Sequence, residues 1–183
     1  AGLNAIAREA GLSKANLYRY FESREAIFLH LVLDDYREWV GSVERALAPL
    51  AGSDDEVRVV HELVKLYSAR PRLCALASSL STVLERNVSV DAVVDFKTRS
   101  MNVLLRLGNA VQVSMPSLDM EGTRQFLFTA QFLVVGMWPA AHPPPAVQEA
   151  LQRPELQFAC VDFERDLEQA MVTQLRGLKA GPG

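Results

Sequence analysis

The sequence predicts an all-α protein. Three observations carry that prediction. Every strong apolar segment repeats with helical period, no segment alternates in the manner of a strand, and Ser, Asp, Gly and Pro punctuate the chain at helix-length intervals. A first helix is expected over about Leu3–Ala10, closed by Gly11, which is suited to positive φ just past a helix end. Ser13 caps a short second helix, about Lys14–Tyr20. Ser23 caps a long third one, "REAIFLHLVLDDYREWVGSVERAL", which runs toward Pro49 and Gly52 and keeps Ile27, Leu31, Trp39 and Val43 roughly on one face.

Further along, "SDDE" at Ser53–Glu56 has the form of a capping box, with Ser at the cap and Glu three residues on. The helix it opens should end before Pro71, because proline disfavours helix in the residue preceding it. A helix over about Arg72–Arg86 follows. The next starts at Ser89 and runs to about Ser114, stopped by Pro116. Asp119 or Ser117 caps the most apolar helix, which reaches about Trp138. "PAAHPPPA" is a stiff connection too short to link domains. A short turn near Val147–Leu151 precedes a last helix over about Val161–Leu178, with "KAGPG" frayed behind it. The total is roughly nine helices without internal repeat.

Composition narrows the class. At 183 residues and 49% hydrophobic, the chain can bury a substantial core. Even "FLFTAQFLVVGMWPAA" is shorter than a membrane span and carries Gln131, so a buried helix is expected there and no membrane partner. Cys74 and Cys160 lie far apart with no metal-ligand spacing, which suits small apolar fillers in a reducing, cytoplasmic setting. The net charge of −3 conceals an asymmetry: residues 1–24 carry +2, leaving −5 on the rest. A basic front on an acidic body suggests two parts with different partners.

The front has the packing of two helices crossing at a tight turn. A small residue, Ala7, allows close approach; Gly11 makes the turn; Leu17 returns from the second helix to fill the wedge, completed by Ile6, Ala10 and Leu12. With Leu17 inside, most of Lys14, Asn16, Tyr18, Arg19 and Tyr20 must face outward or sideways.

Those residues carry a family resemblance. "IAREAGLSKANLYRYFESREAIFLHLV" resembles the DNA-binding region of TetR (tetracycline-repressor-like) transcriptional regulators, through Ile6-Ala7, Ala10-Gly11, Ser13-Lys14, Leu17-Tyr18, Tyr20-Phe21 and a basic residue opening a long helix. Ala15 stands where glycine is common in the family and Arg24 where lysine is usual; arginine keeps the charge and adds a bidentate fork. The helix that precedes this motif in the family is expected to lie in a segment outside the given sequence. The resemblance implies a helix-turn-helix head over 1–46, with the start of the connecting helix, and an effector-binding and dimerisation domain over 47–183.

The same resemblance implies roles for the front residues. The helix opening at Lys14 would enter the major groove of a double-stranded, palindromic operator, with Asn16 reading a base and Lys14 touching a base or phosphate. Ser13 and the Tyr18 hydroxyl would face the backbone, Tyr20 would meet sugar or a thymine methyl, and Arg24 would clamp a phosphate. Arg19 divides evenly between the DNA surface and a pairing with Glu22 or Glu25.

One short helix contacts too few bases for specificity, so a homodimer is expected, its recognition helices about 34–36 Å apart. Its interface is expected on the last two long helices, at Phe126, Leu127, Leu133 and Val134 and at Leu167, Met171 and Leu175, in a four-helix arrangement. A small, mainly hydrophobic effector of unknown identity would sit among Tyr67, Phe96, Met101, Phe132, Met137 and Trp138. Release of a repressor by such a ligand is the expected function. The rival reading is a helical small-molecule or protein-interaction module whose head no longer reads DNA.

Enzymatic readings have little support. No Ser or Cys lies in a nucleophile motif, His30, His61 and His142 are scattered, and no glycine-rich phosphate loop occurs. His30 and Asp34 share a helix face, but two ligands do not make a metal site. No catalytic residue, metal or cofactor is expected.

Overall fold

The computed structural model describes residues 8, 13, 15, 19, 21–80 and 88–180. Among them the regular structure is helical, with no strand. Among the described residues, the α-helices whose ends are defined are, in order, α1 (Arg24–Leu47), α2 (Glu56–Ser68), α3 (Pro71–Ser79), α4 (Val90–Ser114), α5 (Met120–Ala141), α6 (Pro145–Ala150) and α7 (Phe163–Ala180). Short 3-10 turns at Ala48–Leu50 and Pro154–Ala159 interrupt the connections.

Local chemistry accounts for the helix starts. Ser23, Ser89 and Asp119 cap α1, α4 and α5 by accepting from the amides of Ala26, Ala92 and Gly122. The α5 cap is therefore Asp119 rather than Ser117. The Ser53 capping box does not form. Gly52 and Asp54 both take positive φ, 71° and 55°, so the chain turns again after Ser53 and Asp55 becomes the cap of α2. Ser53 Oγ instead accepts from the Asp55 amide.

Proline acts in two ways. Pro71 is the first residue of α3, where its missing N–H removes nothing the helix would use. Pro139 lies inside α5, which continues to Ala141 instead of ending near Trp138; so close to the helix end it deletes a single backbone bond. The last helix starts at Phe163, two residues later than expected, with the Asp162 carboxylate accepting from the Arg165 amide. Residues 81–87 and 181–183, and the first-helix residues other than Arg8, lie outside the described set.

α1 is the central rod. It packs most extensively on α4 and also meets α2 and α3, while α7 lies against α2 and α5. Its core face is Ala26, Leu29, Val32, Leu33, Trp39, Val40, Val43 and Leu47; Leu31, expected inward, is on the surface. Trp39 stacks at 4.2 Å from Tyr67 and meets Tyr36 edge-on at 6.2 Å. Aromatic stacks of this kind add about 0.5–1.5 kcal/mol beyond their burial.

Polar contacts lock elements around that core. Asp35, largely buried in α1, accepts from both Arg72 Nε and Nη2 across to α3. The bidentate fork matters because a buried carboxylate without a partner would be costly. Lys179 near the end of α7 reaches Glu56 Oε2 at 3.2 Å and the Asp54 carbonyl at 3.0 Å, and Arg176 reaches Glu56 Oε1 at 3.2 Å. The last helix is thereby tied to the start of α2.

Candidate functional site

The head supplies the candidate site. Arg8 is helical, Ser13 is not, and Ala15 and Arg19 are helical again, so a helix break falls where the cap was expected. All four are exposed. Ser13, Arg19 and Arg24 are thus placed by the structure. Lys14, Asn16, Tyr18 and Tyr20, like the wedge of Ala7, Gly11 and Leu17, lie outside the described residues.

Arg24 is the first residue of α1, and its Nε donates to Glu25 Oε1 at 2.7 Å. Glu25 is buried, whereas the Arg24 side chain is 43% exposed. The carboxylate therefore orients the guanidinium from below while much of it faces water. A guanidinium has five N–H donors, so this geometry is compatible with a phosphate contact on the outer side. Arg19 and Glu22 face a common cavity of about 400 Å³ between the head, α1 and the start of α4.

A family model described as "Bacterial regulatory proteins, tetR family" matches residues 1–31, and one described as "Tetracyclin repressor-like, C-terminal domain" matches residues 33–182. The chain belongs to the TetR family. It is a DNA-binding transcriptional regulator with an all-α, helix-turn-helix head and a helical C-terminal domain. The two matches meet inside α1, which joins the two parts as one continuous helix. No curated protein matches the chain. Among the described residues, no helix is long and apolar enough to cross a membrane.

The expected effector residues do not converge. Tyr67 is buried against Trp39, Trp138 is buried against His142, and Phe96 lines the cavity by the head. Met101 and Phe132 are exposed, and Met137 is half-buried. The body instead gathers polar atoms that the sequence did not single out. Tyr36 Oη donates to Gln131 Oε1 at 2.5 Å, and the nearby Trp39 Nε1 is buried without a hydrogen-bond partner. Burial pushes the Tyr36 and Tyr67 hydroxyls well above the ordinary tyrosine range and the Cys74 thiol up to about 12. All three are neutral at physiological pH, which makes this a buried apolar cluster with hydrogen-bonding tips.

The expected dimer residues divide by face. Phe126, Val134, Leu167, Met171 and Leu175 are 0–1% exposed in a single chain and offer almost no surface to a second copy. They are core, because the inward stripes of α5 and α7 pack on each other and on the body. Leu127 and Leu133 are half-buried. The outer face of α5 carries Phe128 and Phe132, 47% and 69% exposed, with Gly136 one turn further on. On α7, Thr173 and Gly177 face outward with the half-buried Ala170.

His30 and Asp34 each have another contact. Its ring meets Phe21 edge-on at 5.3 Å, and Asp34 accepts from Arg37 at 2.9 Å. Among the described residues, no group of three or more His, Cys, Asp or Glu side chains could hold a metal ion.

Proposed function

We propose that this regulator binds a palindromic operator as a homodimer, represses, and is released when a small, mainly hydrophobic ligand enters the body. The exposed phenylalanine pair on α5 supports the dimer most strongly. Phe128 and Phe132 are one turn apart on a helix whose opposite face is fully buried, and water contact at both is costly. Pairing α5 and α7 with their copies would cover both rings, with Ala170, Thr173 and Gly177 small enough for close helix approach. The interface thus uses the outer neighbours of the residues that the apolar pattern first suggests.

Within each chain, Ser13, Lys14, Asn16, Tyr18, Arg19, Tyr20 and Arg24 would form the DNA surface. The head extends from residue 1 to about 46 as a working unit, because α1 carries its motion into the body. For the effector, the region beside Trp39 is favoured. A buried indole N–H without a partner costs about 1–3 kcal/mol, and a ligand acceptor would recover that. Tyr36 and Gln131 would supply further hydrogen bonds, with Tyr67 as an apolar wall.

A gel shift of the complete protein against DNA upstream of its own gene tests this reading. Sequence-selective binding by two chains per site, weakening steeply with salt as counterions are released, is the expected result. Binding indifferent to sequence and salt would refute it.

A further inference from the structure

The cap of α4 is completed from outside the helix. Ser89 accepts from the Ala92 amide with its side chain, as an N-cap should. In a capping box the third residue of the helix is Glu or Gln and accepts from the N-cap amide in return. Here that position is Ala92, which has no acceptor. The Ser89 amide donates instead to Glu22 Oε1 at 2.7 Å, from a residue 67 positions earlier in the head. A carboxylate there also lies at the positive end of a 25-residue helix.

The surroundings make this contact matter. Among the described residues, a cavity of about 400 Å³ opens beside Glu22, where the head meets the body. Arg19 and Phe21 border it from the head side, Leu29 and His30 from α1, and Asp91 and Phe96 from α4. Open space of this size leaves the angle between head and body less fixed by packing than a filled core would. We propose that Glu22 is a positioning residue: by closing the cap of α4 it sets the angle of the DNA-binding head on the body. A shift of the first turn of α4 then pulls on the head directly.

The test uses the complete protein. Spin labels at Ala15→Cys and Asn109→Cys, both exposed sites, report the head-to-body distance in a Cys160→Ser chain diluted with unlabelled protein. Cys74 can stay, because it is buried and its thiol is pushed up to about 12. Glu22→Ala should at least double the width of the distance distribution, roughly, whereas Glu22→Gln, which keeps an acceptor oxygen, should stay near wild type. Ser89→Pro should broaden it as Glu22→Ala does, since Ser89 has φ −68°, which proline accepts, and proline removes the N–H. Ser89→Ala, which loses only the side-chain cap, should not. An unchanged width in Glu22→Ala would overturn the proposal.

The functional half rests on the DNA-binding reading above. Glu22→Ala should lose about three- to tenfold of the discrimination between operators whose half-sites differ in spacing by one base pair, with base preference within each half-site kept. A broadened distance with wild-type spacing discrimination would overturn the positioning role. Failure of the unmodified protein to bind any operator selectively would count against the DNA reading, and the distance measurement would still decide the clasp.

Discussion

The two ends of α1 are built differently. Toward its C-terminus, Trp39, Val40, Val43 and Leu47 are 0–1% exposed and interlock with α2, α4 and the Tyr67 ring. Toward its N-terminus Leu29, Val32 and Leu33 are buried as well, but Leu29 and Leu33 border a cavity, Arg24 is partly in water, and Glu22 meets the body through a hydrogen bond from the Ser89 amide. Among the described residues, one rod is thus fully packed at one end and flanked by a cavity at the other. The difference teaches where this chain has room to move: the starts of α1 and α4 face a cavity.

The largest expected effect lies at the packed end. Trp39→Ala should destabilise the fold by about 3–5 kcal/mol, read by chemical denaturation, because it removes a large buried ring and leaves a cavity. A loss below about 1 kcal/mol would mean that this end is not the anchor. Next comes the outer face of α5. Phe132→Glu should weaken dimerisation at least about thirtyfold by sedimentation, the equivalent of a 2 kcal/mol hot spot, while changing the stability of a single chain by under about 0.5 kcal/mol. Leu167→Ala should do the reverse, lowering stability by about 2–5 kcal/mol, as its side chain is fully buried within one chain.

On the DNA side, Asn16→Ala should cost about 1–3 kcal/mol of discrimination at one position per half-site, measured by competition binding against operator variants. Arg24→Ala should instead weaken all sequences about equally. The smallest effect concerns acid. Hydrogen bonds from its own backbone amide and from Arg176 and Lys179 hold the Glu56 carboxyl below its ordinary value, and those from Ser117 do the same for Asp54. Carboxyls lowered on folding stabilise fully above the ordinary carboxylate range, and this contribution is lost as pH falls through the folded value. The difference in Tm between wild type and Lys179→Ala should therefore be constant above about pH 5 and shrink below it. A difference that grew on acidification would contradict the assignment.

Much of this architecture was legible because capping is local chemistry. Ser23 and Ser89 each announce a helix start from a few residues of sequence and cap as expected, and Asp119 is the one of two expected candidates that caps α5. The Ser53 box failed because Asp54 takes a left-handed turn, held through Ser117 by a contact 63 residues away. Which face of α5 is buried was illegible for a different reason. Periodicity tells which residues of α5 share a face, but both faces are apolar, so Phe126 inside and Phe128 outside look alike. The head was readable as a family motif, and a family model matches residues 1–31, while its wedge of Ala7, Gly11 and Leu17 lies outside the described residues. Glu22 was not readable, since its partner lies at the far end of a chain reversal that no local pattern encodes.

Amide hydrogen exchange along α1 in the complete protein tests the contrast between its ends most directly. Amides from Val40 to Leu47 should exchange only through global unfolding. Those from Phe28 to Val32, beyond the frayed first turn, should exchange at least about tenfold faster by local opening. Equal protection along the whole helix would contradict a rod held more firmly at its packed end than beside the cavity.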